Sequence, residues 1–380
     1  MRSVDDREPM AALVREFSTS VLRPRSAAWD AAGGFDEGLR RELGELGFFG
    51  MLVPEDYGGL ALEHAAYAGI LAELGAGDAA AALEISVHGA YAAVLISRYG
   101  LEAQKEQWLP ALATGQVQAC FALSEPGSGW DLTALETRAD RDGPCWVLNG
   151  RKSWVTAGGH AGLAVVVARV EDGAAGGTGA SHVGIFLVPA SSPGYRVAGR
   201  ATTMGLRATS FATLDLRGVR LGPDALVGDP GGSEVILRDA TRTARLGIAA
   251  ISAGIARAAL EHAVEYAGTR QQFGREIRQF EAIQAKLADM AARVEASRAL
   301  VRAAAQPGAP ALQTLLAKVV ASEAAEWVAV QAIQTYGGYG YMRDYPVEKL
   351  LRDAKAMSLC EGANELLRIE AARELYGQEA

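Results

Sequence analysis

"CFALSEPGSGWDLT", residues 120–133, is where the texture of the chain changes. Before it, residues 9–118 read as helical. Met10, Leu13, Val14, Phe17 and Val21 recur at helical spacing, "RRELGELGFFGML" and "YAGILAEL" follow between glycine-rich breaks, and "LEAQKEQWLPALATGQ" predicts a short helix with a glycine stop. Within the stretch, apolar residues lead into Ser124-Glu125-Pro126 and Gly127-Ser128-Gly129, with the bulky Trp130 after them. This predicts a strand running into a glycine turn. Because no helix follows, it is not a dinucleotide fingerprint. Such glycines let backbone approach a phosphate or a flat cofactor, and the same letters also suit an ordinary β-turn.

Beyond it, up to about residue 230, come short β-branched and aromatic runs: "CWVLNG", "KSWVT", "GLAVVVARV", "HVGIFLVPA" and "ATLDLRGVRL". Asp142-Gly143 predicts a turn between two of them, and "EDGAAGGTGAS" (171–181) a mobile surface loop. From about 232 the helical period returns. Segments 236–269, 279–305 and 309–338, then "VEKLLRDAKAM" and "NELLRIEAARELY", predict long helices. The first two are apolar on more than one face, as in a bundle or an oligomer interface. The plan is helices, a small β domain, then a helix bundle.

Composition excludes several functions. Of 380 residues, 49 % are hydrophobic and 22 % charged, an ordinary globular balance, and the net charge of −8 leaves no basic footprint for nucleic acid. Cys120, Cys145 and Cys360 form no C-x-x-C pair, which fits a reducing cytoplasm. "MRSVDDREPM" lacks the apolar core of a signal peptide, and "LGIAAISAGIARAAL" (246–260) carries Arg257 and is too short to span a bilayer. A cytoplasmic protein without membrane insertion is expected. The five histidines include no metal-binding spacing, and neither a Walker A loop nor a G-x-S-x-G elbow occurs. "GAGDAA" (75–80) follows a helical pattern and predicts a helix end and turn rather than a nucleotide loop.

Three further places carry chemistry. "GRKSWVTAGGHA" (150–161) predicts Trp154 and Thr156 on one strand face, an indole and a hydroxyl able to meet a planar ring or simply to pack in a core. "GTRQQFGREI" (268–277) interrupts a helical hairpin with Arg270 and Phe273; the arginine suits a phosphate or the bare surface. In "SLCEGANELLRI" (358–369), Glu361 lies in a short loop beside Cys360 and Gly362, with Asn364 placed to cap the next helix. Glu361 could rest on a helix N-terminus, or serve as a general base whose pKa a partly apolar pocket raises.

Taken in order, "CFALSEPGSG", "NGRKSWVT", "MGLRAT", "RLGIAAISAGIARAALEHAVEYAGTRQQFGREI", "QTYGGYGY", "YPVEKLLRDAK" and "EGANELLRI" resemble the acyl-CoA dehydrogenase family over almost the whole chain. The resemblance implies an α+β, mostly α fold: an N-terminal helical domain (1–118), a middle β-barrel-like domain (119–231) and a C-terminal four-helix bundle (232–380). It implies FAD, an acyl thioester substrate on CoA or a carrier protein, a homo-oligomer (dimer or tetramer) and electron-transfer flavoprotein as acceptor. By the same resemblance Glu361 is the α-proton base. A second subfamily's base position, just before the arginine of "RLGIAA", is Ala244 here. Phe121, Leu123, Ser124, Trp154 and Thr156 match contacts to the flavin ring. Arg270 and Phe273 match contacts to the rest of FAD across a subunit interface, and Gln334, Gly337 and Gly338 a turn around its far end. Arg245 is retained. Trp130 stands where the family has a small serine near the thioester arm, and Arg242 where an aspartate is common. Ala363, Glu365 and Glu281 are further departures. Two alternatives stay open: a flavin-dependent oxidase or monooxygenase, and a non-catalytic helical interaction protein.

Overall fold

The computed structural model describes residues 7–171 and 182–377, so most of the glycine-rich run 171–181 lies outside the described residues. The N-terminal layer comprises α1 (Arg7–Phe17), α2 (Arg23–Ala32), α3 (Glu37–Glu45), α4 (His64–Gly77), α5 (Ala79–Val87), α6 (Val94–Tyr99) and α7 (Glu102–Ala113). α5 and α6 are joined without a break by a π turn, His88–Ala93, so residues 79–99 form one rod. At "GAGDAA", α4 ends and Asp78, extended and buried, caps α5 through the Ala81 amide.

Strands follow: β1 (Ala119–Ala122), β2 (Arg138–Asp142), β3 (Cys145–Val155), β4 (Leu163–Glu171), β5 (His182–Pro189), β6 (Tyr195–Arg200) and β7 (Ala212–Leu221). They form one curled sheet in the order β1-β4-β2-β3-β7-β6, with β5 added against β4. The β2–β3 hairpin turns at Gly143, whose φ of 61° suits glycine. "LAVVVARV" is apolar without alternation because both faces of β4 are buried. Ala164, Val166 and Ala168 join the interior of the sheet around Trp146 and Phe186. Leu163, Val165 and Val167 meet the helical core.

The third layer holds α8 (Ser233–Thr269), a small hairpin of β8 (Gln271–Gln272) and β9 (Arg275–Glu276), α9 (Glu281–Ala304), α10 (Ala311–Tyr336), α11 (Val347–Met357) and α12 (Asn364–Leu375). α8, α9, α10 and α11 pack as a bundle, α12 lies on α10, and α8 is also packed against α4 and α5. Its alanines and glycines make that double contact possible. A Cβ on Gly254 would sit 2.1 Å from the Ala72 carbonyl oxygen. The apolar run 246–260 is part of this longer helix. Ala79–Tyr99 and Ser233–Thr269 are long and apolar enough to cross a membrane, but their most apolar windows are 100 % and 83 % buried inside the protein. They are core helices here.

Gly254→Val should therefore lower the unfolding midpoint, costing about 3 kcal/mol because the obstacle is backbone. Gly69→Ala on α4, where no atom lies within 4 Å of the new methyl, should leave stability level or raise it. Thermal melts of the two variants check the close helix approach.

Candidate functional site

Glu361 sits between α11 and α12 with a φ of 56°, a left-handed conformation that side chains seldom adopt. The loop is held from below by Lys318 of α10, a lysine with no exposed surface. Its Nζ donates to the carbonyls of Ser358 (3.2 Å) and Gly362 (2.8 Å) and to Asn364 Oδ1 (2.8 Å). Burial lowers the Lys318 pKa to about 8. From α8, Arg245 Nε donates to the Glu361 carbonyl at 3.1 Å, and its two terminal nitrogens pair with Glu370 at 2.6 and 3.1 Å. The cap of α12 differs from expectation. Ala363, whose methyl has no acceptor to offer, holds the cap position, and the Asn364 amide one residue on is taken up by Lys318, Ser322 and Glu323.

Tyr91, on the π turn, donates its hydroxyl to Glu361 Oε2. Burial raises the Glu361 pKa, against the lowering pull of the Tyr91 hydroxyl, Arg245 and Lys318. The Tyr91 ring lies flat on Phe121 of β1, with centroids 3.7 Å apart and planes 2° from parallel. Trp130 is half-buried against the helical core, its ring beneath the Arg245 guanidinium at 5.7 Å. Trp130, Arg245, Glu361, Tyr91 and Phe121 thus form one chain of contacts.

The loop after β1 is organised by a second buried lysine. Lys152 of β3 donates to Glu125 Oε1 (2.7 Å) and to the Leu123 carbonyl (2.8 Å). The Glu125 carboxylate also accepts from the Glu136 and Thr137 amides. Burial works to raise the Glu125 pKa, but these donors outweigh it and leave it lowered. Trp154 and Thr156 do not share a strand face as expected. β3 bulges between Lys152 and Val155, Trp154 takes a φ of 59°, and Thr156 already belongs to the following turn. The bulge leaves the Trp154 indole 65 % exposed, while the Ser153 amide bonds the Ser124 carbonyl and so sets Trp154 beside the Ser124 loop. No atom lies within 4 Å of where a Cβ would stand on Gly127 or Gly129. An exposed indole beside an open glycine loop and hydroxyls at Ser124 and Thr156 fits a planar, hydrogen-bonding ring.

A second group gathers at the other end of α8. The Arg270 guanidinium lies 5.3 Å from the centre of the Tyr339 ring, next to Gly337 and Gly338, and Gln334 is exposed one turn earlier. Phe273, at the hairpin tip, is 91 % exposed. Arg245 and Arg270 are twenty-five residues apart on one helix, roughly 37 Å at its 1.5 Å rise. Arg242 reaches neither group. It bonds the Ala309 carbonyl and lines a cavity of about 150 Å³ with His64, Arg98, Asp239 and Thr243.

Sequence reasoning passed over Tyr91 and Lys318. The only signal for Lys318 was a lone cation in the apolar run "LLAKVVA", and Tyr91 stood as one aromatic among alanines.

Family models described as the acyl-CoA dehydrogenase N-terminal, middle and C-terminal domains match residues 5–116, 120–219 and 231–376. The bovine (Bos taurus) mitochondrial short-chain specific acyl-CoA dehydrogenase is 38 % identical over 367 residues, covering 95 % of this chain and 88 % of the relative. The structure of butyryl-CoA dehydrogenase from Megasphaera elsdenii superposes with a TM-score of 0.93 at 32 % identity over 99 % of each chain. That of the prolyl acyl carrier protein oxidase AnaB gives 0.90 at 28 % identity, over 97 % and 98 %.

Lys318→Met keeps the apolar stem but strips three buried acceptors of their donor. It should cost about 3 kcal/mol or more in denaturant unfolding. A variant as stable as the parent would show that the loop does not depend on this ammonium.

Proposed function

Because the chain belongs to the acyl-CoA dehydrogenase family, we propose that it desaturates the Cα–Cβ bond of an acyl thioester with Glu361 as the base that takes the α proton. As a member it is an FAD-dependent oxidoreductase acting on CH–CH bonds. The observation that carries the assignment of Glu361 is its setting: a carboxylate on a strained loop, desolvated, and gripped by Tyr91, Arg245 and Lys318. When bound, FAD supplies a hydride acceptor for the β hydrogen. Phe121, Leu123, Ser124, Trp154 and Thr156 would hold its ring. The protein must do the rest. An α C–H is too weakly acidic until charge on the thioester oxygen is stabilised, so a backbone N–H at Glu361 is the natural donor to that oxygen. Burial that raises the carboxyl pKa also makes it a stronger base, and a dry site keeps the abstracted proton on it.

Arg270, Phe273, Gln334, Gly337 and Gly338 would serve the dinucleotide end of a cofactor. By the family resemblance they would meet the cofactor of a neighbouring copy, which would make the protein a homo-oligomer. Tyr341 and Met342, exposed beside Phe273's group, suit such an interface. Electron-transfer flavoprotein would take the electrons onward.

A second reading changes only what carries the acyl group. Trp130 lies under Arg245, which also holds the Glu361 carbonyl, so its bulk would crowd a slim arm reaching Glu361, while Arg242 places positive charge with Arg98 in a separate cavity. Both favour a carrier protein with an acidic face over free CoA.

Glu361→Gln should bind flavin and stay yellow while anaerobic bleaching by the substrate slows by at least about a thousandfold; undiminished bleaching would assign the proton to another group. Titrating the protein anaerobically with short, medium and branched acyl-CoAs, then with acyl-carrier thioesters, separates the two carriers. Trp130→Ser should shift preference toward CoA, and an unchanged preference would remove the carrier reading. Rapid reoxidation in air would point instead to an oxidase.

A further inference from the structure

We propose that Tyr91 is the positioning residue for Glu361, holding carboxylate oxygen Oε2 so that Oε1 is the atom presented to the α proton. This rests on the reading of Glu361 as the base. Tyr91 arrives from the N-terminal layer, whereas Arg245 and Lys318 grip the same loop from the bundle. The tyrosine has no freedom to do otherwise. Its side chain is fully buried, and Phe121 covers one ring face in parallel contact. The π turn at His88–Ala93 places an extra residue in the rod at this point, a distortion that tends to accompany function. The turn is locked by His88, whose ring accepts from the Ala119 amide at 3.1 Å and contacts the Leu112 carbonyl at 3.2 Å.

The hydroxyl is a durable donor. Burial and the neighbouring carboxylate push the Tyr91 pKa well above the usual phenol value, so the phenol keeps its proton through the neutral range. Every layer around Glu361 contributes a polar or charged group. Tyr67 and Tyr91 come from the N-terminal helices, Thr241 and Arg245 from α8, Lys318 from α10, Glu365 and Glu370 from α12, and Cys360 from its own loop. Among them Tyr91 is the hydrogen-bond donor to the carboxylate itself. A donor to the charged form lowers the pKa, so removing it must raise the pH at which Glu361 ionises.

The test needs no substrate. Infrared difference spectra of the flavin-loaded protein against Glu361→Gln isolate the protonated carboxyl C=O band of Glu361, which is then titrated with pH. In Tyr91→Phe the midpoint should rise by about one pH unit, a tenfold change in ionisation constant. Protein made with 3-fluorotyrosine, a stronger donor, should move it downward, which tests the idea even if Tyr91→Phe folds poorly. A midpoint unmoved by both the phenylalanine and the fluorinated phenol overturns the proposal. Glu361→Gln that still bleaches with acyl thioester would instead sink the reading of the base, whatever the titration shows.

Discussion

A single buried ammonium, Lys318, decides how the layers meet at the loop between α11 and α12. An unpaired charge at that depth would cost several kcal/mol, so the loop must deliver acceptors to it. It delivers two carbonyls and an amide oxygen, from Ser358, Gly362 and Asn364, and in doing so takes a tight shape with Glu361 at its crest. The device recurs in the β domain, where Lys152 draws the Leu123 carbonyl and the Glu125 carboxylate inward and shapes the loop after β1. Both lysines hold loops that flank one aromatic contact, Tyr91 on Phe121.

The three-layer plan could be read from the chain because each layer has its own period. Short β-branched and aromatic runs marked the strands, and the returning helical period marked α8 to α10. The break at residue 120 was legible because β1 begins at Ala119, close behind a glycine that stops α7. What failed was local irregularity. A bulge in β3 turned Trp154 away from the face that simple alternation assigned it, and Asn364 gave up capping for a buried network that no local pattern reveals. Tyr91 was hidden for two reasons. Its partner is 270 residues away, and the π turn shifts its phase on the helix, so helical counting cannot say which way it points.

α8 acts as a ruler. Its small residues let it lie against α4 and the bundle at once, with most of its middle stretch buried. Its first half presents Arg245 to the Glu361 loop, and its C-cap, Arg270, meets an exposed aromatic cluster. Two groups carried by one helix keep their separation whatever the neighbouring loops do.

With Glu361 as the proposed base, its backbone sets stability against activity. A φ of 56° is comfortable only for glycine, so the position carries strain of about 1 kcal/mol that the surrounding network must overcome. Replacement by glycine would relieve that strain and at the same time delete the carboxylate. Selection for a sturdier fold alone would drift toward a silent protein at this residue, and a sample chosen for heat resistance could be the one that has lost its chemistry.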